Sequence, residues 1–169
     1  MADADELIYR RAELDEVLPL RTRVFRPLLA GLEPFRIEAD VRTETTRHYA
    51  AEDSQGDVVA VTTVFEDECP EFPGESARRI FGFAVVEQWR GRGIGGRLFE
   101  YLRRDTAQAF PETEILWGNA RVGSTGFWEL LGFELWGEPF EIEGRGEHRI
   151  AAQRVDVLAE GAEERDSQV

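Results

Sequence analysis

Residues 80–102, IFGFAVVEQWRGRGIGGRLFEYL, constrain the fold of this chain more than any other stretch. The segment from Ile80 to Val86 carries no charge and is rich in β-branched and aromatic residues, which is typical of a strand buried on both faces. A glycine-rich segment follows at 90–96, and from Ile94 onward the apolar residues recur at helical spacing. The sequence therefore predicts a strand, a glycine-rich turn and an amphipathic helix in direct succession.

The glycine-rich segment predicts a site for an anion. It precedes a helix, whose first turn presents free N–H groups and the positive end of the helix dipole. Glycine permits positive φ and has no Cβ to keep the backbone N–H groups from closing on phosphate oxygens. The segment lacks the Gly-Lys-Ser/Thr ending of a Walker loop, and it does not match the dinucleotide pattern G-x-G-x-x-G. It does match R-x-x-G-x-G, with Arg90, Gly93 and Gly95.

The periodicity of the remaining chain predicts an α+β fold with a mixed sheet. Strands are predicted at 6–12, 48–52, 58–65, 80–86, 114–117, 133–136 and 148–157, and helices at 14–28, from Ile94 to about 110, and at 125–132. Asp53 to Asp57 is a hairpin turn, whereas 31–46, 66–77 and 137–146 are predicted to be loops. We expect one domain over residues 1–158 and a disordered acidic tail over 159–169.

Composition indicates a globular protein of the cytoplasm. Apolar residues make up 42% of the chain and charged residues 32%, and no apolar run approaches the ~20 residues that span a bilayer. The acidic N-terminus does not resemble a secretion signal. A single cysteine, Cys69, can form no internal disulfide and has no partners for a metal site, so we expect an incidental loop thiol.

The charge balance argues against partners that are polyanions. Acidic residues number 34 against 20 basic ones, the net charge is −14, and every basic residue is arginine. Such a surface repels nucleic acid and acidic membranes. Two explanations account for the missing lysines: a source that lives in high salt, where surface carboxylates keep proteins soluble, or a high-GC codon bias that replaces lysine by arginine.

The R-x-x-G-x-G motif resembles the pyrophosphate loop of the GNAT acetyltransferase superfamily, and the predicted order of elements over residues 7–157 is also the GNAT order. Four further segments are similar to a GNAT subset with unassigned substrates: WGNAR at 117–121, GFWELLGF at 126–133, GEPFEI at 137–142 and LRTRVFRP at 20–27. The resemblance implies a mixed, mostly antiparallel sheet of six to seven strands, with helices on both faces and two central strands splayed where CoA binds.

The resemblance also implies acetyl-CoA as co-substrate and no metal. In the family the pantetheine arm pairs with the backbone of the central strand, a role that falls to Phe83, Ala84 and Val85. The pyrophosphate is then held by Arg90, Gly91, Arg92, Gly93, Ile94, Gly95 and Gly96. Arg121 stands where many members carry an asparagine that contacts pantetheine, so we expect Asn119 to take over that contact.

The implied reaction is direct attack of an amine on the thioester in a ternary complex, which requires a base and an acid. The usual acid is a tyrosine, and here Trp128 replaces it; an indole N–H donates a hydrogen bond but does not release its proton. Three alternatives stay open. Water or a hydroxyl of Ser124 or Thr125 orients proton delivery, the thiolate leaves unassisted, or the protein is a non-catalytic acyl-CoA-binding or regulatory module.

The candidate bases are Glu66 at a strand end, His48 and His148, and each also has a purely structural interpretation. Arg21, Arg26 and Arg36 lie in the segments that cover the acceptor in this fold. They are either a clamp for a carboxylate of the acceptor or surface charges that offset an acidic chain. The expected acceptor is an amine of a small molecule or a protein, and the expected assembly is a monomer or a homodimer.

Overall fold

The computed structural model of the protein describes residues 6–25 and 33–155. Its helices and strands follow the chain in the order β1 (Ile8–Ala12), α1 (Leu14–Phe25), β2 (Thr46–Glu52), β3 (Val58–Glu66), β4 (Ala77–Val85), α2 (Ile94–Ala109), β5 (Ile115–Arg121), α3 (Thr125–Leu130), β6 (Glu134–Ile142) and β7 (Gly146–Arg154). The predicted tail at 159–169 and the predicted end of the first helix beyond Phe25 lie outside the described residues.

The strands are hydrogen-bonded in the order β1-β2-β3-β4-β5-β7-β6. β4 and β5 pair in parallel, while β1 with β2, β2 with β3, β5 with β7 and β6 with β7 pair antiparallel. The prediction of an α+β fold with a mixed, mostly antiparallel sheet is confirmed, with seven strands.

Contacts divide the chain into two compact units, of which the first contains the described residues up to Glu66 together with Ile80–Asp105. Its core forms where the apolar stripe of α1 meets the strands. Val17 and Leu20 of α1 pack with Ala50 of β2, Val61 of β3 and Ala84 of β4. Val17 and Leu20 recur at helical spacing on one face of α1, as burial of that face requires.

The second unit contains Asp67–Arg79 and the described residues from Thr106 onward. Its core combines the start of β4 with β5 and β7, and a loop residue completes it: Cys69 is fully buried against Ala77, Ile115, Trp117, Ile150 and Ala152. Cys69 lies in the loop between β3 and β4, as expected, and its side chain is part of this core. Burial raises the pKa of the Cys69 thiol.

Two strands of the second unit are longer than predicted. β6 continues to Ile142 rather than ending at Trp136, and its pairing with β7 shifts between Trp136 and Phe140. That irregularity, with Gly137 at φ +71 and Pro139 inside the strand, interrupts the alternation on which the prediction depended. β5 continues to Arg121 because β7 supplies backbone partners along its whole length, through residues of low strand propensity.

Within 6–25 and 33–155, each helix is too short or too polar to cross a bilayer.

Candidate active site

A bulge interrupts β4 at the position where the cofactor arm was expected to pair. Gly82 has φ +76. Phe81 stacks on Phe25 of α1, with 5.5 Å between ring centroids, and Ala84 packs against Val17 of α1. Residues three apart reach the same side of a strand only where one extra residue is inserted, so the chain bulges between them. Backbone that follows a bulge no longer fits the regular ladder, which makes residues 83–85 suitable for pairing with a ligand.

The turn after β4 is held by aromatic and arginine side chains. Trp89 is buried, and the guanidinium carbon of Arg92 lies 5.1 Å from the centre of its ring. Nε of Arg90 donates a hydrogen bond of 3.0 Å to the carbonyl of Val85 at the end of β4. These contacts fix the path from strand to helix and hold two cationic side chains beside it.

The glycines of this turn adopt the conformations that an anion cradle needs. Gly91 has φ +74 and Gly93 has φ +79, and beyond their chain neighbours no heavy atom lies within 4 Å of where a Cβ would stand on either. α2 begins at Ile94, and the amide of Arg97 bonds the carbonyl of Gly93 at 3.2 Å. The first-turn amides, including those of Gly95 and Gly96, are thus not used within the helix. The turn fits a diphosphate.

Arg21 lies in a buried network and not at the surface. Its side chain is fully inaccessible; Nη1 donates to Oδ2 of Asp40 at 2.9 Å, and Nη2 donates to Oγ1 of Thr63 at 2.7 Å. A Cβ on Gly82 would stand 3.6 Å from Nε of Arg21, which places the guanidinium directly beneath the bulge. These internal partners favour a supporting role for Arg21 over the predicted contact with the acceptor. Arg26 lies outside the described residues, and Arg36 is exposed.

His48 joins the same network, and its chemistry follows from its partners. Its Nδ1 lies 2.8 Å from Oγ1 of Thr63, which already accepts a hydrogen bond from Arg21. Either the hydroxyl of Thr63 donates to Nδ1, which leaves the His48 proton on Nε2, or Nδ1–H donates to Oγ1 of Thr63. Burial, then the charge of Arg21, lowers the pKa of His48, with Asp40 opposing. The lowered pKa favours the neutral imidazole and makes His48 a weaker base.

His148 has the opposite arrangement. It is buried on β7, and its Nδ1 lies 2.8 Å from the carbonyl oxygen of Gly146. A carbonyl only accepts, so Nδ1 carries the proton and the lone pair is on Nε2. Within the described part of the chain Nε2 has no hydrogen-bond partner. The ring stacks on Phe140 with 6.3 Å between centroids, and Arg121 stands directly opposite on β5. This tautomer leaves Nε2 able to accept a proton.

The other predicted residues have the following positions. Glu66 ends β3 and is exposed. Ser124 is the N-cap of α3, is exposed, and makes no side-chain cap hydrogen bond. Trp128 is buried edge-on against Phe133, with 5.0 Å between ring centroids. Asn119 is half-buried on β5. The structure therefore gathers residues 90–96 on one turn of the first unit, while Asn119, Ser124, Trp128 and His148 belong to the second.

The sequence did not identify Asp40 and Thr63 as partners of Arg21, because they are distant from it in the chain. Asp40 and Thr63 hold Arg21 across 19 and 42 positions of sequence. One signal was available: Arg21 lies four residues after Val17, on the apolar stripe of its helix. Across 6–25 and 33–155, no group of three or more His, Cys, Asp or Glu side chains is placed to hold a metal ion.

Comparison with known proteins assigns the family. The family model described as an acetyltransferase (GNAT) domain matches residues 44–135, more than half of the chain. An uncharacterized N-acetyltransferase, YitI of Bacillus subtilis (strain 168), is 26% identical over 137 residues, which cover 81% of this chain and 89% of the relative.

Solved structures share the fold at low sequence identity. FeeM, an N-acyl amino acid synthase from uncultured soil microbes, has a TM-score of 0.68 at 12% identity, over 89% of this chain and 90% of its own. An aminoglycoside 6'-N-acetyltransferase complexed with coenzyme A has a TM-score of 0.63 at 16% identity, over 88% and 97%. At these identities the likeness shows the fold alone, and the match of the family model decides membership: the chain belongs to the GNAT acetyltransferase family.

Proposed function

We propose that the protein is an N-acyltransferase that moves the acetyl group of acetyl-CoA to an amine. The observation that carries the proposal is the turn before α2, where two glycines with positive φ and open space beside them precede the free amides of a helix N-terminus. In a chain of this family, a diphosphate is the anion that such a turn is suited to hold.

The donor is held mainly by backbone. Gly91 and Gly93 let the turn close on the diphosphate, the first-turn amides of α2 donate to its oxygens, and Arg90 and Arg92 add positive charge. The backbone of Phe83, Ala84 and Val85, which follows the bulge at Gly82, pairs with the pantetheine arm as an added strand. Asn119 takes the further pantetheine contact.

His148 is the proposed base. Nε2 takes the proton of the attacking amine, a bond forms between the amine nitrogen and the thioester carbon, and the bond between that carbon and sulfur breaks. Glu66 is less suited, because its exposed carboxylate is not oriented by a hydrogen bond among the described contacts. His48 is less suited than His148, because burial lowers its pKa and its Nδ1 is engaged with Oγ1 of Thr63.

The leaving thiolate takes its proton from solvent. A thiol of pKa ~8.5 tolerates departure as the anion near neutral pH, and the exposed hydroxyl of Ser124, which is not occupied by helix capping, is free to order a water. Trp128 is packed against Phe133 and supplies at most a hydrogen bond. Its presence in place of the usual tyrosine favours one alternative function, a non-catalytic acyl-CoA-binding module.

Two assays separate these functions. Acetyl-CoA is expected to raise the melting temperature, because it binds only the folded state. Release of CoA in the presence of a panel of amines, followed with a thiol reagent, then reports transfer; the burial of Cys69 keeps the background from the protein low. Binding without release supports the non-catalytic module, and no thermal shift at millimolar acetyl-CoA refutes both functions.

A matched pair of glycine variants tests the site itself. Gly93→Ala and Gly74→Ala impose the same left-handed strain, at φ +79 and +83, and neither Cβ meets another atom within 4 Å. Both are expected to cost about 1–2 kcal/mol of stability. Only Gly93→Ala is expected to weaken acetyl-CoA binding, by about tenfold or more. An equal effect of the two on affinity would remove the turn from the donor site.

A further inference from the structure

One side chain ties the turn between β6 and β7 to the end of β5. Nε and Nη2 of Arg121 both donate to the carbonyl oxygen of Arg145, at 3.1 and 2.8 Å. Arg121 is exposed, but two donors of one planar, charged guanidinium meet a single acceptor, which gives the contact a defined direction. The position of the turn therefore depends on Arg121.

Three consecutive carbonyl groups at the start of β7 have three different donors. The carbonyl of Arg145 accepts from the guanidinium just described, and that of Glu147 accepts from the backbone amide of Val122 at 2.9 Å. Between them, the carbonyl oxygen of Gly146 lies 2.8 Å from Nδ1 of His148. Peptide groups are rigid planes joined at Cα atoms, so holding the two outer groups from the end of β5 restrains the one between them.

The restrained carbonyl belongs to a glycine, which makes the outside restraint necessary. Gly146 has φ +86, in the left-handed region that other residues rarely adopt. Glycine reaches this conformation without strain but also has many others available, so its own side chain does nothing to select one. The direction of its carbonyl is therefore determined by the hydrogen bonds of its neighbours, of which the contact with Arg121 is one.

The tautomer of His148 depends on that carbonyl. A carbonyl only accepts, so the proton lies on Nδ1 and the lone pair on Nε2. Phe140 stacks on the ring, with 6.3 Å between centroids, but a stacked ring does not distinguish one nitrogen from the other. An imidazole without a fixed acceptor at Nδ1 can carry its proton on either nitrogen.

We propose that Arg121 is a positioning residue: by holding the turn between β6 and β7 it keeps the Gly146 carbonyl directed at Nδ1 of His148, so that Nε2 stays the basic nitrogen. This inference rests on the proposed acyltransferase function, in which Nε2 takes the proton of the attacking amine. In this role Arg121 touches no reacting atom and acts through the backbone of the turn.

The tautomer of His148 is the direct readout, and it requires no substrate. The chain contains two histidines, so long-range proton–nitrogen NMR spectra of isotope-labelled protein, recorded at alkaline pH where histidine is neutral, report on each imidazole separately. We expect His148 to carry its proton on Nδ1 in wild type. Arg121→Met is expected to give a mixture of both tautomers at His148 and to leave the signals of His48 unchanged, which shows that the fold is intact.

Arg149→Met is the matched control. It removes the same charge one residue after His148, but Nε of Arg149 donates to the carbonyl of Gly137 on β6 and not to the turn. The control is expected to keep the proton of His148 on Nδ1, as in wild type. A change of tautomer in Arg121→Met alone therefore reports the hydrogen bonds to the turn and not the loss of a nearby charge.

The kinetics of acetyl transfer give a second readout. A His148 with its proton on Nε2 cannot take a proton there, so Arg121→Met is expected to lower kcat by about threefold or more while KM for acetyl-CoA changes by less than about twofold. Arg149→Met is expected to change kcat and KM by less than about twofold.

The outcomes of the two proposals are distinguishable. If His148 keeps its proton on Nδ1 in Arg121→Met, or carries it on Nε2 in wild type, the positioning role is overturned, whether or not any amine is acetylated. An equal change of tautomer in Arg149→Met overturns it as well. If the tautomer changes only in Arg121→Met and no amine releases CoA, the positioning role is supported and the acyltransferase function fails.

Discussion

The ion pair of Arg21 and Asp40 is expected to make a large contribution to stability, because both side chains are removed from water. Their exposed fractions are 0% and 2%, and Nη1 lies 2.9 Å from Oδ2. Asp40→Asn keeps the shape of the side chain and removes its charge. The guanidinium of Arg21 then stays in the interior with neutral partners only.

The expected loss follows from that burial. Breaking a buried ion pair by removing one partner costs about 3–5 kcal/mol, most of which is the penalty of the uncompensated charge. For a chain of 169 residues, 1 kcal/mol corresponds to roughly 2–4 °C of melting temperature. Asp40→Asn is therefore expected to lower the melting temperature by about 6–20 °C.

Glu75→Gln is the matched control. Glu75 lies 2.6 Å from Arg154, closer than Asp40 lies to Arg21, but the two side chains are 30% and 49% exposed. A pair in contact with water contributes only about 0–1 kcal/mol. If the N···O distance decided the contribution of an ion pair, Glu75→Gln would lose more stability than Asp40→Asn. Burial predicts that Asp40→Asn loses more.

Urea denaturation of both variants measures the free energies of unfolding, and an unchanged dependence on urea confirms that the folded states are comparable. The double variant Arg21→Met/Asp40→Leu is expected to be more stable than Asp40→Asn, because it leaves no buried charge. Equal losses in Asp40→Asn and Glu75→Gln would refute the reasoning.

The two histidines give two further predictions. The pKa of His48 is lowered in the folded state from its ordinary value of 6.5. Below pH 6.5 the unfolded state therefore binds a proton more readily than the folded state, and the contribution of His48 to stability is lost as the pH falls. Urea titrations between about pH 7.5 and 5.5 should therefore show wild type losing more stability than His48→Gln, and parallel curves would contradict this. His148→Ala should lower acetyl transfer by about tenfold or more at unchanged acetyl-CoA affinity; an unchanged rate, measured as CoA release, would remove His148 from the mechanism.

The sequence predicts well what depends on neighbouring residues. The strand, turn and helix at 80–102 form as predicted, because uncharged β-branched residues, glycines and an apolar stripe each specify local conformation. The prediction ended β6 too early, because its bulge and Pro139 interrupt the alternation of apolar and polar residues that is typical of a strand. The burial of Arg21 was missed because its partners come from other elements of the fold, and no local pattern records such pairings.

The same limit applies to the arginines that the sequence suggested for the acceptor. The sequence identified Arg21, Arg26 and Arg36 as candidates for binding a carboxylate, because they lie in the first helix and the following loop, which are expected to cover the acceptor. In the structure the guanidinium of Arg21 already forms an ion pair with the carboxylate of Asp40.

Net charge and local charge act on different length scales in this protein. At physiological ionic strength a surface charge is screened within about 8 Å, so most of the 34 acidic residues do not act on a ligand at a given site. An acidic chain can therefore bind anions wherever a few arginines are held close together, as Arg90 and Arg92 are beside the turn before α2. An excess of carboxylates opposes polyanions such as nucleic acid, which contact a broad surface. It does not oppose a small ligand, whose binding is determined by the groups within a few ångströms of it.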